Sequence, residues 1–175
     1  MYHHLAGETL YTLVVLGRYP ALSATIRVID LLFMLTAIAF NLLIAGIFIA
    51  SKYNKAKLRQ ILGITWMLLA IPLFVVFVSY VLEGMKIDIL VSFCLVFLYM
   101  LAELLLDYVF HVEFREKPIT HIPYIVLEYA ALFSLIHIAS AINATWGWIV
   151  GVAFWMLIGC LIFLYWEQIT RKKKA

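Results

Sequence analysis

Five stretches of about twenty almost uncharged apolar residues occupy most of this chain, and they leave few folds open to it. They run Val28–Ala50, Ile61–Leu82, Ile87–Phe110, Ile122–Ile142 and Trp146–Trp166. A hydrocarbon layer about 30 Å thick is crossed by roughly twenty helical residues. In lipid every backbone N–H and C=O must be satisfied within the chain, which leaves helices or closed barrels, and strand-like alternation is absent. The expected fold class is an all-α integral membrane protein, with a bundle of five transmembrane helices plus a short N-terminal interfacial helix. Because 66 % of the residues are hydrophobic and only 13 % charged, lipid has to solvate surface that no packed interior of this size would hide. The connections are too short to hold a soluble domain, so any chemistry belongs between the helices, at their ends, or to a partner.

The net charge of +3 is not a nucleic-acid signal, because the basic residues cluster beside the spans. Lys52, Lys55, Lys57 and Arg59 flank the first connection, Arg115 and Lys117 the third, and Arg171 to Lys174 the C-terminus. The second connection offers Lys86 against Glu83 and Asp88, and the fourth, Asn143 to Thr145, has no charge. Short cytoplasmic loops are enriched in Lys and Arg. The expected topology is therefore N-terminus outside and C-terminus cytoplasmic, in a plasma or inner membrane. The domain reading is an outer N-terminal segment over 1–27, a five-helix domain over 28–170 and a basic tail over 171–175.

Within the first segment Leu10 to Leu16 is apolar but too short to span, and Gly17-Arg18-Tyr19-Pro20 breaks it. Glu8 stands where a signal peptide would carry its basic region, so an interfacial helix is the expectation. His3 and His4 read as solvated. Cys94 and Cys160 differ in depth by several turns and read as small buried apolar residues. Asn143-Ala-Thr145 matches a glycosylation sequon but hugs the membrane.

Along the spans, Tyr80, Trp146 and Trp148 mark one interface, and Tyr53, Tyr108, Tyr165 and Trp166 the other. Pro72, midway along the second span, predicts a kink that frees a carbonyl. Small residues recur on single faces: Gly147, Gly151 and Gly159 with Trp155; Ala37, Asn41 and Ala45; Ala130, Ser134, His137 and Ala141. Such stripes let helices approach closely, within one chain or between copies. There is no internal repeat of the kind that builds many transporters.

The unusual feature is the hairpin of the third and fourth spans. Glu103, Asp107 and His111 recur at i, i+4 and i+8, and His121, Tyr124 and Glu128 at i, i+3 and i+7, each set on one helical face. Counting from the loop, Glu103 is level with Glu128, Asp107 with Tyr124, and His111 with His121. A carboxylate inside a bilayer costs at least about 2.5–3.5 kcal/mol, so these groups must pair, become protonated, bind a cation or reach water. The six residues form the candidate ion- or proton-binding site. Asn41 and His137 form a candidate second polar site, and Asp30, beside Arg27, reads as interfacial.

No Glu-x-x-His pair, His-Glu-x-x-His, Gly-x-Ser-x-Gly, phosphate loop or dinucleotide fingerprint is present. The identities of any metal, haem or other cofactor and of any catalytic residue are left open. Three function classes fit. The first is transport or conduction of a small solute or ion, coupled to protons or cations. The second is an embedded enzyme acting on a lipid or isoprenoid head group, with or without a metal. The third is an accessory or structural subunit. Lipid is the expected partner, with a homo-oligomer or larger membrane complex for the remaining faces.

Overall fold

The computed structural model describes residues 27–110 and 118–172, the side chains of 107–108, 118–121 and 164–172 excepted. Among the described residues the chain is helical throughout, with no strand. Its elements are α1 (Val28–Lys52), α2 (Ala56–Leu68), α3 (Ala70–Leu82), α4 (Ile87–Glu103), a π-helical turn (Leu104–Val109), α5 (Pro118–Ile142) and α6 (Ala144–Lys172). With α2 and α3 counted as one span, five helices are long and apolar enough to cross a membrane. The interfacial helix expected over residues 1–27 lies outside the described residues except for Arg27.

Local chemistry sets the boundaries. Pro72 has no N–H to give the carbonyl of Leu68, and the helix is interrupted at Leu69, whose N–H turns to the Trp66 carbonyl at 3.0 Å. The expected kink is thus a one-residue break between α2 and α3. Asn54 takes the left-handed conformation in the first turn (φ 53°), as does Gly84 in the second (φ 68°), the residue types that adopt it at least cost. Pro118 opens α5 at the position where its missing N–H is harmless, four residues before the apolar stretch begins. At the far end α6 runs to Lys172, so Arg171 and Lys172 belong to a helix rather than to a tail.

α1 is the hub of the bundle. It packs against α2, α3 and α6 and touches α5, while α5 lies between α4 and α6. The α5–α6 hairpin is the tightest joint. A Cβ on Gly147 would lie 2.0 Å from Ser140 Oγ and 3.0 Å from its Cα, so only glycine lets these two backbones meet. Asn143 Oδ1 accepts from the Thr145 N–H at 2.8 Å and closes the turn. The expected small-residue face of the fifth span is therefore used at Gly147, whereas Gly151 and Gly159 have nothing within 4 Å.

α4 is held differently. Its backbone runs close beside α5 and only lightly against α3, and across from α1 and α2 aromatic rings bridge the gap. Phe93 meets Phe33 at 5.7 Å, Phe77 at 5.8 Å and Tyr80 at 5.8 Å between centroids. Further along, Tyr99 meets Trp66 at 5.5 Å and Phe40 at 6.3 Å. Edge-to-face pairs of this kind add about 0.5–1.5 kcal/mol each beyond area burial. The result is an aromatic seam between α4 and the α1–α3 side of the bundle.

The two glycines of α6 separate these packing effects. Gly147→Ala is expected to destabilise by about 1–3 kcal/mol or more through overpacking. Gly151→Ala is expected to be neutral, or stabilising by up to about 1 kcal/mol. Thermal unfolding midpoints in detergent measure both, and equal shifts would contradict the described α5–α6 contact.

Candidate functional site

Tyr99 and Glu103 are one turn apart on α4, and Tyr124 and Glu128 one turn apart on α5. Close packing of the two helices brings the four together. The Tyr124 hydroxyl donates to a carboxylate oxygen of Glu103 in a short hydrogen bond. The Tyr99 and Tyr124 hydroxyl oxygens are 3.3 Å apart. A phenol has one proton to give, and Tyr124 has given its own to Glu103, so Tyr99 is the donor to Tyr124. The arrangement is a directed chain, Tyr99 to Tyr124 to Glu103, with both phenols buried. Glu128 is half-buried like Glu103, and both carboxyl groups lie within Coulombic reach of both phenols.

The cluster sits deep along its helices. At 1.5 Å per residue, Glu103 is about 24 Å from the start of α4 and Glu128 about 21 Å from the end of α5. The observed bond joins Glu103 to Tyr124, the residue that counting from the loop sets level with Asp107. Behind Tyr99 the Trp66 ring is 2 % exposed, and its Nε1 has no hydrogen-bond partner.

Of the six residues expected to form the site, Glu103 and Tyr124 are hydrogen-bonded and Glu128 lies close by. His111 and the side chains of Asp107 and His121 lie outside the described residues. The backbone beneath Asp107 differs from expectation, because Leu104–Val109 is wound as a π-helix and Phe110 N–H bonds back five residues to Leu105 at 2.8 Å. A π-turn inserts a residue into the helical repeat. Asn41 and His137, the candidate second site, share no hydrogen bond. Asn41 is fully buried, with Nδ2 donating to the Ala37 carbonyl at 2.9 Å and Oδ1 without a partner. His137 Nε2 lies 3.5 Å from Asp88 Oδ2 across α4 and α5, both side chains well exposed.

Spacing within the acidic stripes does not single out Tyr99, although it precedes Glu103 by one turn and so extends the same face. A second polar group, at the opposite end of the bundle, is likewise larger than its sequence suggests. Arg27 grips Asp30 with two parallel hydrogen bonds of 2.9 and 3.0 Å and also binds Glu83 at the end of α3. Tyr80 donates to Asp30 at 2.8 Å. The paired bonds from Asp30, with Glu83 beside them, outweigh the effect of burial and hold the guanidinium even further above its ordinary pKa. Asp30, in the first turn of α1, is thus a buried carboxylate with three donors that ties α1 to α3.

Comparison with known protein-family models, with curated proteins and with solved structures finds no match. The site has to be read from its own chemistry.

That chemistry predicts coupling between the phenols. In a double-mutant cycle, Tyr99→Phe and Tyr124→Phe are expected to be non-additive by about 0.5–3 kcal/mol, because each removes a partner of the other. Unfolding free energies in detergent give the cycle, and strict additivity would contradict the chain.

Proposed function

We propose that this is an integral membrane protein that transports or conducts a small solute or ion coupled to protons or cations, with Glu103 as the exchanging carboxyl. The observation that carries the reading is the Tyr99–Tyr124–Glu103 chain between two apolar helices, with Glu128 beside it. In this reading the basic flanks at Lys52–Arg59 and in the α6 C-terminal turn lie in the cytoplasm. The glutamates then stand in the cytoplasmic half of the bilayer.

The physics favours exchange over a purely adhesive role. Interhelical polar bonds in membranes average only about 0.6 kcal/mol, whereas a carboxylate costs about 2.5–3.5 kcal/mol at the bilayer centre and less toward the helix ends where these two stand. A neutral pair of amides would join α4 and α5 at lower cost. A carboxyl does something an amide cannot, since it takes up and releases a proton, and phenols on the same chain can pass it along. With Glu103 ionised, Tyr124 donates to it; with Glu103 protonated, the polarity of the chain can reverse, so the hydroxyls report which state the carboxyl is in.

An accessory role in a larger complex has one observation in its favour. Gly151 and Gly159 have open space above them and Trp155 beside them is 69 % exposed, a face another helix would fit. The membrane-embedded enzyme finds no comparable support.

Reconstituted protein separates these readings. In proteoliposomes with an imposed pH gradient, Glu103→Gln is expected to lower dye-reported proton flux by about a hundredfold or more, and Tyr124→Phe by about tenfold, the low end for loss of a charge-assisted bond worth about 1.5–3 kcal/mol. Both variants should purify at the native mass. Unchanged flux in Glu103→Gln and Glu128→Gln would remove the transport reading, and a changed native mass without flux would favour the accessory one.

A further inference from the structure

The two ends of the bundle treat their cations differently. At the start of α1, Arg27 is committed to Asp30 and Glu83. At its other end the turn into α2 carries Lys52, Lys55, Lys57 and Arg59, and the sequence has no acid anywhere between Asp30 and Glu83. Lys52 is taken up by α6, where its Nζ donates to the Phe163 carbonyl at 3.3 Å. Lys55, Lys57 and Arg59 are exposed and form no ion pair among the described residues. We infer that these three, with the exposed face of α2, bind the head and tail of one anionic phospholipid. The inference goes beyond the transport reading and needs only that the spans lie in a bilayer.

Three observations single out a lipid among the anionic partners a basic patch attracts. First, the exposed face runs from charge into hydrocarbon. Lys57, Ile61, Ile64 and Leu68 recur at i, i+4, i+7 and i+11, hence on one face of α2. All four are exposed, the apolar three by 51, 48 and 57 %, and the buried Gly63 and Trp66 mark the opposite face, turned to the bundle. Gln60 stands beside Lys57 at i+3 and adds an amide donor for a phosphate oxygen. Second, the length fits. At 1.5 Å per residue the stripe from Lys57 to Leu68 measures about 16 Å, half of a hydrocarbon layer about 30 Å thick. An acyl chain whose phosphate meets Lys57 therefore has an apolar wall through one leaflet. Third, the surroundings favour a head group of net negative charge. Lys55 and Arg59 stand two residues to either side of Lys57 and raise the positive potential around it. Their turn is a closed one: the Lys55 N–H bonds back to the Ala50 carbonyl at 2.9 Å over the left-handed Asn54, which fixes the basic run against the end of α1. Tyr53 in the same turn is 60 % exposed, an amphipathic ring of the kind that sits at head-group level. A nucleic acid or an acidic peptide would gain from the charges but not from the apolar stripe.

The test is native mass spectrometry of the full chain released from detergent. It is titrated with palmitoyl-oleoyl phosphatidylglycerol, with the phosphatidylcholine of the same chains, or with inorganic phosphate. Phosphatidylglycerol is expected to bind saturably, and about tenfold or more tightly than phosphatidylcholine. Lys57→Gln should weaken its binding about fivefold, and Lys57→Gln combined with Arg59→Gln about twentyfold, the scale of one charge each at a membrane surface. Lys57→Arg, which keeps the charge, and Lys86→Gln, at the opposite end of the bundle, should leave the affinity unchanged. Equal affinity for the two lipids, or a double variant that binds phosphatidylglycerol as the wild type does, would overturn the proposal. So would displacement of the lipid by millimolar inorganic phosphate, which would make the patch a site for a free anion.

Discussion

A carboxylate half-buried along an apolar helix has to be given hydrogen-bond donors, and Tyr124 provides one for Glu103. Much of the bundle can be understood from that requirement. Tyr124 reaches Glu103 only because α5 lies against α4, and the short connection between them makes the two helices antiparallel neighbours. Tyr99 then has an acceptor in Tyr124, and its ring, seated against Trp66 and Phe40, fixes how far α4 stands from α1 and α2. The polar chain and the aromatic seam are two sides of one residue, Tyr99.

The same rule operates at the opposite end. Asp30 is 6 % exposed and is tolerated there because Arg27 offers two donors and Tyr80 a third. Losing one donor from such a group leaves an unsatisfied charge, which costs more than the bond itself is worth. Each end of the bundle thus contains a carboxylate held by a tyrosine, Asp30 buried and Glu103 half-buried, and the seam joins the two. Asp30 is held by a guanidinium as well as a phenol, and Glu103 by a phenol that Glu128 also reaches.

What the sequence reveals follows from which forces are local. The five spans are legible because each depends on a run of apolar residues and nothing else. The break before Pro72 is legible because a missing N–H is a property of one residue. Counting from the loop sets Glu103 level with Glu128 and Tyr124 level with Asp107, one turn away from the Glu103 partner that Tyr124 bonds. Azimuth does not follow from counting, and there the reading runs out. The π-turn at Leu104–Val109 carries no composition signal. Tyr99 looks like any aromatic residue in an apolar helix until a neighbour's hydroxyl is placed beside it. Arg27 and Asp30 are adjacent on one helix, but Glu83 and Tyr80 join them only through the packing of α3 on α1. His137 shares a small-residue face on α5, and its partner Asp88 comes from a different helix.

The central claim is that the Glu103 carboxyl exchanges a proton while bonded to Tyr124, and infrared spectroscopy of the reconstituted protein tests it most directly. The account predicts a protonated-carboxyl C=O band that titrates with pH, disappears in Glu103→Gln, and moves to higher frequency in Tyr124→Phe as its hydrogen bond is lost. A spectrum with no Glu103-dependent carboxyl band between about pH 4 and 10, a window extending well to either side of neutrality, or with a band indifferent to Tyr124→Phe, would contradict it.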